Sequence, residues 1–62
     1  MTPKYQVDQK VITPLGIGRI VDIGLETFSF FYLVNIPYAY SNPKRFGEAL
    51  LVPYSGIVPN EN

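Results

Sequence analysis

The sequence predicts an all-β domain, a small barrel of about five antiparallel strands. Three observations predict it. Six prolines, at positions 3, 14, 37, 43, 53 and 59, and five glycines leave no stretch suited to an ordinary helix. The longest proline-free run, 15–36, is rich in β-branched and aromatic residues, the types that fit a pleated surface. Within it Phe28, Phe30, Tyr32, Val34 and Ile36 alternate with Ser29, Phe31, Leu33 and Asn35. That two-residue period marks a strand with one face on a core.

The elements follow in order. Lys10–Thr13 is the first strand, stopped by Pro14 and turned through Leu15 and Gly16. A phosphate-cradling loop would need a third glycine after Gly16-Ile17-Gly18 and a helix opening from it. The chain continues instead as Arg19-Ile20-Val21, so these glycines are read as backbone devices. Gly16 supplies the bend, and Gly18 lets a second strand, Arg19–Ile23, cross a curled neighbour closely. Gly24-Leu25-Glu26 reads as a break before the long third strand. The Pro37–Gly47 segment reads as a long loop, and Ala49–Val52 as a further strand. After Pro53-Tyr54-Ser55, a short strand is expected at Gly56–Val58 and a frayed polar tail from Pro59. Residues 1–62 form one domain, with an expected core of Val11, Ile20, Ile23, Phe30, Tyr32, Val34, Ile36, Leu50 and Val52.

Composition excludes several classes of function. With no cysteine and no histidine, neither a disulfide nor a Cys/His zinc site is available. Packing must carry the fold, and 47% hydrophobic with 15% aromatic residues suits that role. Five cations and five carboxylates cancel, which removes the basic footprint of a phosphate-dominated nucleic-acid binder. No apolar run approaches the roughly 18 residues of a membrane span, and the first residues do not read as a secretory leader. A cytoplasmic protein is expected. The carboxylates Asp8, Asp22, Glu26, Glu48 and Glu61 form no pair with a shared-site spacing, and the three serines have no histidine to activate them. No catalytic residue, cofactor or metal ligand is expected, so the chain reads as a binding module and not an enzyme.

The stretches VDQKVITPLGIGRIVDI, YLVNIPYA and ALLVPYSGI together resemble a known family. They are similar to the SH3-like, Tudor-like barrel of CarD-family transcription regulators and the RNA-polymerase-interacting domain of the transcription–repair coupling factor. Asp8-Gln9-Lys10-Val11-Ile12 matches the opening strand, and Gly16, Ile17, Gly18 and Arg19 match the Gly-Ile-Gly-Arg turn. Tyr32, Leu33, Tyr38 and Ala39 match the middle strand, and Leu50, Val52 and Pro53 match the closing Leu-x-Val-Pro. Much of this pattern is shared with KOW-type barrels. The resemblance implies an SH3-like (Tudor/KOW-type) fold, a role in transcription regulation, RNA polymerase as partner, and a bacterial or phage origin.

Two groups of residues are candidates for partner binding. If Phe28, Phe30, Tyr32, Val34 and Ile36 face inward, Phe31 and Leu33 lie on the opposite face, where a small barrel has little to cover them. The segment PYAYSNPKRFGE interleaves Tyr38, Tyr40 and Phe46 with Lys44 and Arg45, a vocabulary enriched at protein interfaces. Three readings follow: a protein partner, a nucleic-acid strand stacked on the aromatics, or self-association into a homo-oligomer. Convergence of Arg19, Lys44 and Arg45 would favour the nucleic acid.

Overall fold

A computed structural model describes residues 2–55. Five strands form one antiparallel sheet: β1 Lys10–Thr13, β2 Gly16–Glu26, β3 Ser29–Asn35, β4 Lys44–Gly47 and β5 Val52–Pro53. Their order is β4-β3-β2-β1-β5, and a 3₁₀ turn at Glu48–Leu50 leads into β5. The domain is all-β, as the proline spacing requires. The strand expected at Gly56–Val58 and the tail from Pro59 lie outside the described residues.

β1 alternates strictly, with Val11 and Thr13 buried and Lys10 and Ile12 exposed. Its turn into β2 is held by the Thr13 hydroxyl, which accepts from the Leu15 amide at 3.0 Å and donates to the Gly16 carbonyl at 2.7 Å. Gly16 takes φ +136°, a conformation L side chains rarely adopt. Gly18 serves closeness instead. A Cβ there would stand 2.4 Å from the Asn35 carbonyl oxygen and 2.7 Å from Val34 Cγ1. Both glycines lie inside a strand that pairs with β1, and no helix follows them.

β2 is longer than expected at both ends. Gly24-Leu25-Glu26 does not break it, because Gly24 pairs with Phe31 and the Phe31 ring covers the bare glycine. A cross-strand aromatic replaces the packing that glycine lacks. A register shift between Ile20 and Asp22 explains a feature that simple alternation forbids. Ile20 and Ile23 are three residues apart, yet Ile20 pairs with inward Val34 and Ile23 with inward Tyr32. The extra residue, Val21, is absorbed by the bulge and is exposed.

The parity expected for β3 is correct from Phe30 onward, with Tyr32, Val34 and Ile36 fully buried. Phe28 is the correction: it lies in the turn before β3 and is 81% exposed. β4 falls where a loop was expected. Its four residues carry one large apolar side chain, Phe46, too little to show a period. Pairing with β3 from Phe31↔Gly47 to Val34↔Lys44 defines it instead. The strand expected at Ala49–Val52 is replaced by the 3₁₀ turn and a shorter β5, which reverses the expected burial. Leu51 is buried, whereas Leu50 and Val52 are exposed and leave the core.

The core comprises Tyr5, Val11, Ile20, Tyr32, Val34, Ile36, Phe46 and Leu51, with Ile23, Phe30 and Tyr40 packed against it. Tyr5 enters from the segment before β1. Its ring meets Tyr32 edge-on at 5.4 Å between centroids, and its hydroxyl donates to the Leu51 carbonyl at 2.9 Å. Among the described residues no buried side-chain nitrogen or oxygen lacks a partner.

Candidate functional site

The residues singled out from the sequence separate into distinct places. Phe46 is buried at 6% exposure, facing the core from β4, and leaves the surface set. Tyr40 is half-buried against the core, with the Lys44 ammonium 4.9 Å from its ring centroid. Phe31 and Leu33 occupy the outward parity of β3 but are only half-exposed. Phe31 lies over Gly24 and carries the Arg45 guanidinium 3.9 Å above its ring, and Arg45 also pairs with Glu26. This face is covered by its own side chains.

Tyr38 stands apart from those four. Its ring is 69% exposed, yet its hydroxyl is fixed twice: it accepts from the Ile17 amide at 2.6 Å and donates to the Ile17 carbonyl at 2.8 Å. The reason lies in strand length. β2 starts at Gly16, but its pairing with β3 begins only at Arg19↔Asn35, so Ile17 has no backbone partner on that side. Tyr38 supplies one from the loop after β3. Tyr38→Phe keeps the ring and removes both bonds. The expected loss is about 1 kcal/mol, which is roughly 4–8 °C in thermal midpoint for a domain of this size. An unchanged midpoint would contradict this role.

Phe28, the most exposed large apolar side chain among the described residues, stands with Leu25 at the end of the β2–β3 hairpin. β1 pairs with β2 only as far as Arg19, and β4 pairs with β3 only as far as Phe31. The β2–β3 ladder continues beyond both, through Leu25↔Phe30 and Glu26↔Ser29. This overhang has the inward parity of the core on one side, and among the described residues no neighbouring strand covers it. Leu25 is 56% exposed, opposite half-buried Phe30, and Phe28 stands at the tip. Phe28 and Phe30 line a cleft of ≈ 420 Å³ with Gly47, Glu48 and Ala49. The tip residue Thr27 has φ +58°, uncommon for a β-branched side chain. The sequence signal for this site was present but opposed: Leu25 looked like part of a break, and Phe28 shared the parity of the core.

One polar hub fixes the base of that cleft. The Tyr32 hydroxyl accepts from the Lys4 and Tyr5 amides at 3.1 and 3.3 Å and donates to Glu48 Oε2 at 2.5 Å. Glu48 Oε2 also accepts from the Lys4 amide at 2.9 Å. The hydrogen bond from Tyr32, then that from Lys4, holds the Glu48 carboxyl below the usual glutamate range. Burial, then the Glu48 contact, pushes the Tyr32 phenol up. The hub ties the first residues to β3 and the 3₁₀ turn.

No protein family, curated protein or solved structure matches the chain. Among the described residues no group of three or more potential metal-ligating side chains occurs, and no helix is long and apolar enough to cross a membrane.

Proposed function

We propose that the chain is an SH3-like small barrel serving as a non-enzymatic protein-interaction module, with the β2–β3 overhang as its contact element. The single observation that carries this reading is Phe28, a large aromatic 81% exposed at the end of an overhanging hairpin, with Leu25 exposed on the same element. Aromatic anchors of this kind dominate binding energy at protein interfaces. The strained Thr27 beside it fits a tip held for recognition, since such conformations cluster at functional sites. The antiparallel sheet in which β1 also pairs with β5, led into by a 3₁₀ turn, supports the barrel reading. The resemblance to CarD-type domains supplies RNA polymerase as the partner to try first.

The charge distribution favours protein over nucleic acid. Of the three cations whose convergence would have favoured a nucleic-acid strand, Arg45 pairs with Glu26 and Lys44 lies over Tyr40. Arg19 lies elsewhere, opposite Lys10 on β1.

The test measures binding of purified bacterial RNA polymerase to the immobilised protein and to its Leu25→Ser and Phe28→Ser variants. Loss of a hot-spot side chain is worth about 2 kcal/mol or more, a roughly thirtyfold weakening. Thermal midpoints should stay within a few degrees of the parent, because both side chains are solvent-facing. Undiminished binding by both variants, or no binding by the parent, would overturn the assignment.

A further inference from the structure

A second groove, away from the overhang, is lined by two cations and by no carboxylate. It measures ≈ 540 Å³, within the range of small-ligand sites, and runs along β2 beside the Tyr38 loop. Ile17, Val21, Pro37 and Tyr38 form its apolar walls, Gly18 and Asn35 complete it, and Lys10 and Arg19 supply its charge. Lys10 and Arg19 are register partners across the β1–β2 ladder. The register therefore sets two positive side chains side by side on one face of the sheet. Among the described residues neither has a carboxylate partner, and no carboxylate lines the groove. Both side chains are nevertheless held in place. The Lys10 ammonium stands 4.7 Å from the Tyr54 ring centroid, and Arg19 donates to the Asp8 carbonyl at 2.9 Å.

We propose that this groove binds an extended acidic peptide segment of the protein partner. Two carboxylates at alternate positions would meet Lys10 and Arg19, and an apolar side chain two residues further on, on the same face of the extended peptide, would lie against Ile17, Val21 and Tyr38. This rests on the protein-interaction reading and adds a second, charge-reading contact to it. Two features favour a peptide over a nucleic-acid strand. The walls are mainly aliphatic, and Tyr38 is the one aromatic ring lining the groove, so successive bases would find no second stacking platform. The mode is also defined. Tyr38 already occupies the amide and carbonyl of Ile17, so the peptide is held there through side chains and not by adding a strand.

The experiment titrates the protein with the peptide fluoresceinyl-Gly-Glu-Ser-Glu-Ser-Leu-amide, which sets two glutamates and the leucine on one face, against the same peptide with glutamines for glutamates and against labelled oligo-dT. The acidic peptide should bind at least about tenfold more tightly than the glutamine peptide, and Lys10→Gln should weaken it by about tenfold. The thermal midpoint of Lys10→Gln should shift by no more than several degrees, because the lost cation–π contact with Tyr54 is worth only about 0.5–1 kcal/mol at an exposed site. Phe28→Ser should leave peptide binding unchanged, which separates this groove from the overhang. Equal binding of both peptides, indifference to Lys10→Gln, no binding, or preference for oligo-dT would each overturn the proposal. The overhang reading would stand or fall on its own polymerase assay.

Discussion

Gly18→Ala is expected to leave the protein largely unfolded at room temperature. A methyl group at this position would meet a backbone oxygen, that of Asn35, at 2.4 Å, along with Val34 Cγ1 at 2.7 Å and Ile36 Cγ1 at 2.9 Å. A flexible side chain can swing aside, but the Asn35 carbonyl is fixed by the β2–β3 ladder, whose pairing begins at Arg19↔Asn35. Relief requires β2 to lift from β3, and that interface holds Ile20 against Val34 in the core. Overpacking costs of about 1–3 kcal/mol are common and can be higher where the backbone must move. A single core in a domain of this size supplies roughly 3–5 kcal/mol in total. Far-ultraviolet circular dichroism should show loss of the sheet signal and of a cooperative melt. Gly47→Ala is the matched control, because a Cβ there meets nothing within 4 Å and φ is −70°. It should be neutral or stabilising by up to about 1 kcal/mol through the unfolded chain. A cooperative melt for Gly18→Ala at the parent temperature would refute the close approach.

The second large effect is expected at Tyr32, which joins the first residues, β3 and the 3₁₀ turn. Tyr32→Phe leaves the buried Tyr5 amide without its partner, and an orphaned buried donor costs about 1–3 kcal/mol. It also releases Glu48 from the hydrogen bond that chiefly lowers its pKa. The sign of the pH effect follows. A carboxyl with a folded pKa below its unfolded value stabilises the fold above the unfolded value, about 4.3 for glutamate. That stability is lost as pH falls through the lower, folded pKa. The parent should therefore lose stability on acidification through and below that range, and Glu48→Gln should flatten the loss. Tyr32 works in the opposite direction. Its raised pKa favours the neutral phenol, so its contribution is complete below about 10 and is lost as pH rises through the higher folded value. Chemical denaturation of parent, Tyr32→Phe and Glu48→Gln checks the Glu48 statement across acidic pH and the Tyr32 statement across alkaline pH above about 10. An identical acid profile in all three would contradict the hub.

The fold class was legible because its signals are local. Prolines exclude helices wherever they fall, and alternation from Phe30 to Ile36 records a strand facing a core on one side. The remaining features depend on partners distant in sequence. β4 has one apolar anchor, Phe46, and exists through its register with β3. Leu51 replaces Leu50 and Val52 in the core because the 3₁₀ turn resets parity just before β5. Tyr5 is drawn in by Tyr32 and Leu51, each more than twenty residues away.

The candidate site was only partly legible for the same reason. Interface-type residues in 38–46 were visible, but four of the five turn toward partners within the chain. Phe46 enters the core, Tyr40 packs beneath Lys44, and Arg45 covers Phe31. Tyr38 remains open, and its exposure depends on the unpaired end of β2 at Ile17. Phe28 carried the correct parity for burial but fell beyond the last β4 pair, where no strand among the described residues covers it. Exposure there is decided by where neighbouring strands stop.

We propose the β2–β3 overhang as the face this protein presents to a partner protein. The most direct measurement is nuclear magnetic resonance of the protein, labelled at leucine methyls and phenylalanine rings, during titration with RNA polymerase. Signals from Leu25 and Phe28 should shift or broaden first and most, while those of Phe31 and Leu33 follow only weakly. Perturbation centred on Phe31 and Leu33 with Leu25 and Phe28 unmoved, or a spectrum untouched by the polymerase, would contradict it.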